Sequence, residues 1–148
     1  MRAAAVAVGV VYLAALLALT FLPFGAQGQP GSLDLRLVPL QTIRGALRLG
    51  PGSYEYGVLI GNLLAFVPVG LLVPILTRTK SVVLAIGAGF LLSVLIELGQ
   101  LAISVALGYA YRSADVDDVI VNTLGAAVGY AIFYSVDTLA SWLDETGR

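Results

Sequence analysis

Apolar and polar positions sort this chain into four long, mainly apolar runs separated by shorter polar links. Residues 3–22 carry no charge, and about twenty apolar residues rising 1.5 Å each cross a hydrocarbon core of roughly 30 Å. Comparable runs follow at 56–76, 82–103 and 115–139. The pattern predicts an all-α, polytopic membrane protein whose four transmembrane helices form a single membrane domain over 1–148. The first run exceeds the apolar centre of about 7–15 residues in a cleaved signal peptide, and Pro23-Phe24-Gly25-Ala26-Gln27 makes a poor cleavage site, so the span is expected to be retained.

The links add detail. In the first, Leu40, Ile43 and Leu47 recur at helical spacing while Arg44 and Arg48 lie elsewhere, which predicts a short amphipathic helix at the membrane surface. Tyr54 and Tyr56 at the start of the second run and Trp142 beyond the fourth suit the membrane interface. Pro68 and Pro74, with Gly61 and Gly70, predict that the second span bends or partly unwinds.

Polar residues inside the runs then change the picture. Asp115, Asp118 and Asn122 are spaced three and four apart, so on a helix they share one face, which Gly125 and Gly129 continue; Asp117 points to another side. Ser93, Glu97 and Gln100 share a face of the third run, and an intramembrane carboxylate is a functional candidate by default because it is costly to place there. Asn62, Glu97 and Asn122 each fall roughly 9–11 Å below one interface at 1.5 Å per residue. With Gln100 above them and Arg112 at the rim, the polar groups of three spans converge on one cleft. Capping of the fourth helix by Ser113 or Asp115 would explain the acidic start of that span without any ligand, but it leaves Glu97 unexplained.

The composition is 59% hydrophobic and 11% charged, against roughly 25% charged for a soluble domain. With no cysteine and no histidine, disulfides, thiol nucleophiles, imidazole triads and zinc sites of the Cys/His kind are excluded. A net charge of −1 offers no basic surface, so no nucleic-acid partner is expected. Arg2 and the short turn carrying Arg78 and Lys80 place both termini on the cytoplasmic side by the positive-inside tendency.

The blocks from Asn62 to Pro74, from Ser93 to Gln100, and from Arg112 through Asp118 to Gly125 resemble the VanZ-like family in sequence and in order, and Leu37 to Ile43 resembles the short segment those proteins carry after their first span. Family members often have glycine where this chain has Tyr111. The resemblance implies a small integral protein of the bacterial cell membrane, from a family named for a protein linked to low-level resistance to the glycopeptide teicoplanin.

The expected function is therefore binding of an anionic lipid or lipid-linked envelope precursor in an outward-facing cleft. Arg112 would take phosphate, Glu97, Asp115 and Asp118 would order the cleft, and Asn62, Gln100 and Asn122 would hydrogen-bond the ligand. Asp115 and Asp118 are also candidate ligands for a divalent cation such as Mg²⁺. A second expectation is a metal-assisted lipid-phosphate transferase or hydrolase with Glu97 as general base. A third is a packing protein whose polar groups only satisfy one another.

Overall fold

The computed structural model describes residues 2–22 and 29–146; the candidate cleavage site at 23–27 and the side chain of Arg2 lie outside the described set. Four helices are long and apolar enough to cross a membrane: α1 (Arg2–Phe21), α3 (Tyr54–Thr77), α4 (Val82–Leu107) and α5 (Val116–Thr146). The chain is a multi-pass membrane protein. The surface-helix expectation corresponds to α2 (Gln41–Leu49), which buries Ala46 and leaves Arg44, Leu47 and Arg48 exposed.

Local chemistry sets where each helix starts and stops. Ser53 and Ser81 accept the Tyr56 and Leu84 N–H groups and so cap α3 and α4. Gly108 ends α4 in the left-handed region at φ 74°. Pro68 and Pro74 lie inside α3, yet the helix runs unbroken from Tyr54 to Thr77, so the partial unwinding expected from them is absent. Helix α5 is 31 residues long, about 46 Å at 1.5 Å per residue, and its last turns with Trp142 extend beyond what a hydrocarbon core needs.

Helices α3 and α5 make the most extensive contact in the bundle, and glycine is the reason. A Cβ added to Gly70 would sit 1.8 Å from the Ala126 carbonyl oxygen, one at Gly129 would sit 1.9 Å from that of Val67, and one at Gly125 would sit 2.2 Å from that of Leu63. No side chain fits between the two backbones, which is the small-residue packing that replaces the hydrophobic drive inside lipid. Leu16, Phe66, Val69 and Ile96 form the apolar core beside this seam, with Tyr12 and Leu92 packed on it. Leu64, Leu91, Leu95 and Val128 face outward, as a lipid-facing surface requires.

The links between α1 and α3 and between α4 and α5 meet on one side of the bundle. They form a two-residue parallel pairing that the helical periodicity did not predict. Strand β1 (Leu35–Arg36) lies beside β2 (Ala114–Asp115), with Arg36 opposite Asp115. Around it, the Ala114 N–H donates to the Asp34 carbonyl at 2.9 Å and the Gly31 N–H to that of Gly108 at 2.8 Å. On the opposite side the short α3–α4 turn is tied to α5 by an ion pair between Lys80 and Asp137 at 2.5 Å.

Candidate functional site

The acidic start of α5 divides its carboxylates between two tasks. Asp115 precedes the helix, in β2 rather than on the α5 face where helical spacing placed it. Its Oδ1 accepts the Asp117 N–H at 2.8 Å and its Oδ2 accepts the Thr42 hydroxyl at 2.7 Å, so it caps α5 and ties that helix to α2. Asp117, 1% exposed, reaches the other way. Its two oxygens accept the Leu40 N–H at 2.5 Å and the Ile43 N–H at 3.0 Å. Helix α2 has no cap of its own, and Leu40 is held at φ 67°, a left-handed conformation costing a bulky residue roughly 1 kcal/mol or more. A carboxylate at a helix N-terminus offsets that cost through charge-assisted hydrogen bonds and the macrodipole.

On α4, Ser93, Glu97, Gln100 and Ser104 are all buried and recur at intervals of four, three and four residues, one continuous face. Glu97 Oε2 accepts the Asp115 N–H at 2.8 Å. Ser93 Oγ accepts the Asn122 amide at 2.9 Å. Ser104 Oγ donates to the Gln100 carbonyl at 2.9 Å and accepts the Tyr111 N–H at 3.1 Å, so it anchors the loop that carries Arg112. The Asn62 amide of α3 lies beside the Asp118 carboxylate. The polar groups of the three spans are therefore staggered by about one turn, with Glu97 beside Asp115 and Asn122 beside Ser93, rather than level.

These groups line a cavity of about 710 Å³, within the size range of small-ligand sites. Asn62, Glu97, Gln100, Arg112, Asp118 and Asn122 all border it, whereas Asp115 does not. Helix α1 closes one wall through Leu16, Leu19 and Thr20, and its attachment is light. The Tyr12 hydroxyl donates to the Ala65 carbonyl, that of Tyr111 to the Phe21 carbonyl, and Arg112 Nη2 to the Leu19 carbonyl at 3.5 Å. Among the described residues Arg112 forms no ion pair with a carboxylate. The guanidinium nearest the acidic cluster is that of Arg36, 3.0 Å from Asp34 and 4.0 Å from Asp115. The hydrogen bond that Arg36 donates to Asp34 pushes the guanidinium above its ordinary pKa, so it stays charged.

A family profile described as VanZ/LLP1 matches residues 9–139. The chain belongs to the VanZ/LLP1 family. No curated protein and no solved structure matches it. The matched region takes in every residue that lines the cavity, together with Tyr111, whose hydroxyl reaches α1 in this VanZ/LLP1 protein.

Asp115 and Asp118 do not fit a divalent cation as a pair. Both Asp115 oxygens are already engaged, and among the described residues no three acidic side chains come together as a metal cage. Sequence reasoning missed three contributors. Ser104 continues the Ser93, Glu97, Gln100 spacing and was legible from it. Asp117 and Thr42 were not, because their partners lie more than seventy residues away.

Proposed function

We propose that this VanZ/LLP1 protein binds the headgroup of a phosphate-bearing envelope lipid in the cavity between α1, α3, α4 and α5. The observation that carries the reading is the 710 Å³ cavity itself, which joins Arg36 and Arg112 to an interior of Asn62, Glu97, Gln100, Asp118 and Asn122 inside a bundle whose outer surface is apolar. Polar groups at membrane depth are expensive, and they persist where a ligand or a partner uses them. Arg112 takes phosphate, since among the described residues its guanidinium is held only by a long contact to the α1 backbone. The termini lie in the cytoplasm and the cavity opens to the outer side, so its ligand comes from the outer leaflet of the bacterial cell membrane. The teicoplanin link carried by the family name would follow from occupancy of that ligand.

The test is lipid retention by the purified protein, read by native mass spectrometry with phosphatidylglycerol, phosphatidylethanolamine and a polyprenyl phosphate, with and without Mg²⁺. Retention that Arg112→Ala reduces about tenfold, the worth of one charge-assisted hydrogen bond, supports the reading. Retention indifferent to Arg112→Ala removes it, and turnover of the lipid that depends on Mg²⁺ would favour the transferase or hydrolase instead. Orientation is checked by impermeant thiol labelling in intact cells: Ser32→Cys should label and Arg78→Cys should not. The native chain has no cysteine to interfere.

A further inference from the structure

Four carboxylates lie along the α4–α5 side of the open end, and two are fully employed. Asp117 holds two α2 N–H groups, and Asp115 holds the Asp117 N–H and the Thr42 hydroxyl with Arg36 nearby. The other two, Glu97 and Asp118, line the cavity. Glu97 Oε2 accepts one backbone N–H, and the Asp118 carboxylate lies beside the Asn62 amide.

One turn from each is an atom that the fold leaves unsatisfied. Asn122 is 4% exposed; its Nδ2 donates to Ser93 Oγ at 2.9 Å, while its Oδ1 is buried without a hydrogen-bond partner. Buried acceptors of this kind are few in native proteins and call for an explanation. Asn122 also lines the cavity. It lies one turn from Asp118 on α5, and its bond to Ser93 places it one turn from Glu97 on α4.

Two carboxylates and one amide thus line the same cavity with acceptor capacity to spare, and among the described residues no cation is hydrogen-bonded to any of the three. A primary ammonium has three N–H donors and one positive charge; a hydroxyl has one donor and no charge, and a quaternary ammonium has no donor. A metal ion fits less well, because no three acidic side chains come together among the described residues. We infer that the inner end of the cavity is a subsite for a primary ammonium, held by Glu97, Asp118 and the Asn122 carbonyl. This rests on the headgroup reading above and deepens it. With phosphate on Arg112, the headgroup class is a phosphate ester bearing a primary amine, of which phosphoethanolamine is the simplest.

The experiment compares retention of phosphatidylethanolamine, its N-methyl and N,N-dimethyl derivatives, phosphatidylcholine and phosphatidylglycerol, all with the same acyl chains, by the full-length purified protein. Retention should fall stepwise as each N–H is replaced, reaching about tenfold or more between ethanolamine and choline, as loss of charged hydrogen bonds dictates. Asn122→Leu should bring the two within about twofold, and Asn122→Asp should widen the preference for ethanolamine. Arg112→Ala should weaken both lipids alike. Equal retention of ethanolamine and choline lipids overturns the ammonium subsite but leaves the phosphate reading intact. A narrowed preference in Asn122→Asp also overturns it, since Asn122 would then present its amide nitrogen to the ligand. Retention of no lipid at all overturns both.

Discussion

Along α3, glycine occupies two opposite environments. At Gly57 and Gly61, near the start of the helix, an added Cβ would meet nothing within 4 Å, and Gly61 borders the cavity; at Gly70, farther along, the same atom would lie 1.8 Å from a backbone oxygen of α5. The bundle is therefore closed at one end by direct backbone contact and held open at the other, where Asp115 and Asp117 fasten the loops and α2 around the rim. The deep seam gives rigidity without any polar group. The open end concentrates nearly all of the buried polar side chains, which a helix-packing role alone would not require.

The strongest way to break this contrast is to force a side chain into the seam. Gly129→Val would push against the Val67 carbonyl and the Leu71 N–H, and neither backbone can rotate away. A loss of about 3 kcal/mol or more is expected, at the upper end for overpacking. Gly61→Ala, made on the cavity side, should leave stability unchanged. The check is reversible unfolding in mixed detergent micelles, and a Gly129→Val protein as stable as the native one would disprove backbone contact at the seam.

Next in size is Asp117→Ala, which strips α2 of both capping bonds and leaves Leu40 in its strained conformation unsupported. Losing charged hydrogen bonds to two N–H groups should cost about 2–3 kcal/mol. The effect should be local: hydrogen exchange should rise across 41–49 while α3 and α5 at the seam keep their protection. Uniform exchange throughout the bundle would mean that the open end and the seam are not separable.

Glu97 sharpens the same comparison by a smaller step. Glu97→Gln keeps an acceptor for the Asp115 N–H and should change stability by less than about 1 kcal/mol, whereas Glu97→Leu leaves that buried donor unpaired and should cost about 1–3 kcal/mol. Equal stabilities for the two variants would show that water satisfies the Asp115 N–H and that this end is wetter than the packing suggests.

These effects also mark how far the sequence could be read. Hydropathy alone places the four spans, because lipid demands about twenty apolar residues whatever the neighbours are, and the Leu40, Ile43, Leu47 spacing locates α2. Helical arithmetic works inside a helix, which is why Ser93, Glu97 and Gln100 lie together on α4 and why Asp118 and Asn122 share a face of α5. It fails at the first turn. Asp115 looks helical by spacing but sits in β2, since its side chain satisfies the Asp117 N–H that the start of α5 leaves free. Asp117 looks peripheral because its partners, Leu40 and Ile43, belong to a distant link brought near only by the β1–β2 pairing. Helix ends suffer in the same way: α4 runs to Leu107, past the expected 103, because Ser104 is an interior anchor rather than the first loop residue.

The smallest expected effect lies at the closed end, where the Lys80–Asp137 pair is solvent-exposed. The hydrogen bond to Asp137, more than any other influence, raises the Lys80 pKa above its ordinary value. A raised folded-state pKa means that the pair's contribution is complete below the unfolded lysine value, about 10.4, and disappears as pH climbs through the folded value. Stability of the native protein relative to Lys80→Met should therefore be flat from pH 6 to 9 and should converge with that of the variant only above about pH 10.5. Added salt should also narrow the gap, because exposed charges are screened over roughly 8 Å at physiological ionic strength. The measurement is the difference in unfolding midpoint between the two proteins across that pH range. A gap that widens toward alkaline pH has the wrong sign for this pair and would show that the α3–α4 turn is held by something other than the Lys80 ammonium, such as the Tyr130 hydroxyl of α5, which donates to the Lys80 carbonyl at 2.7 Å.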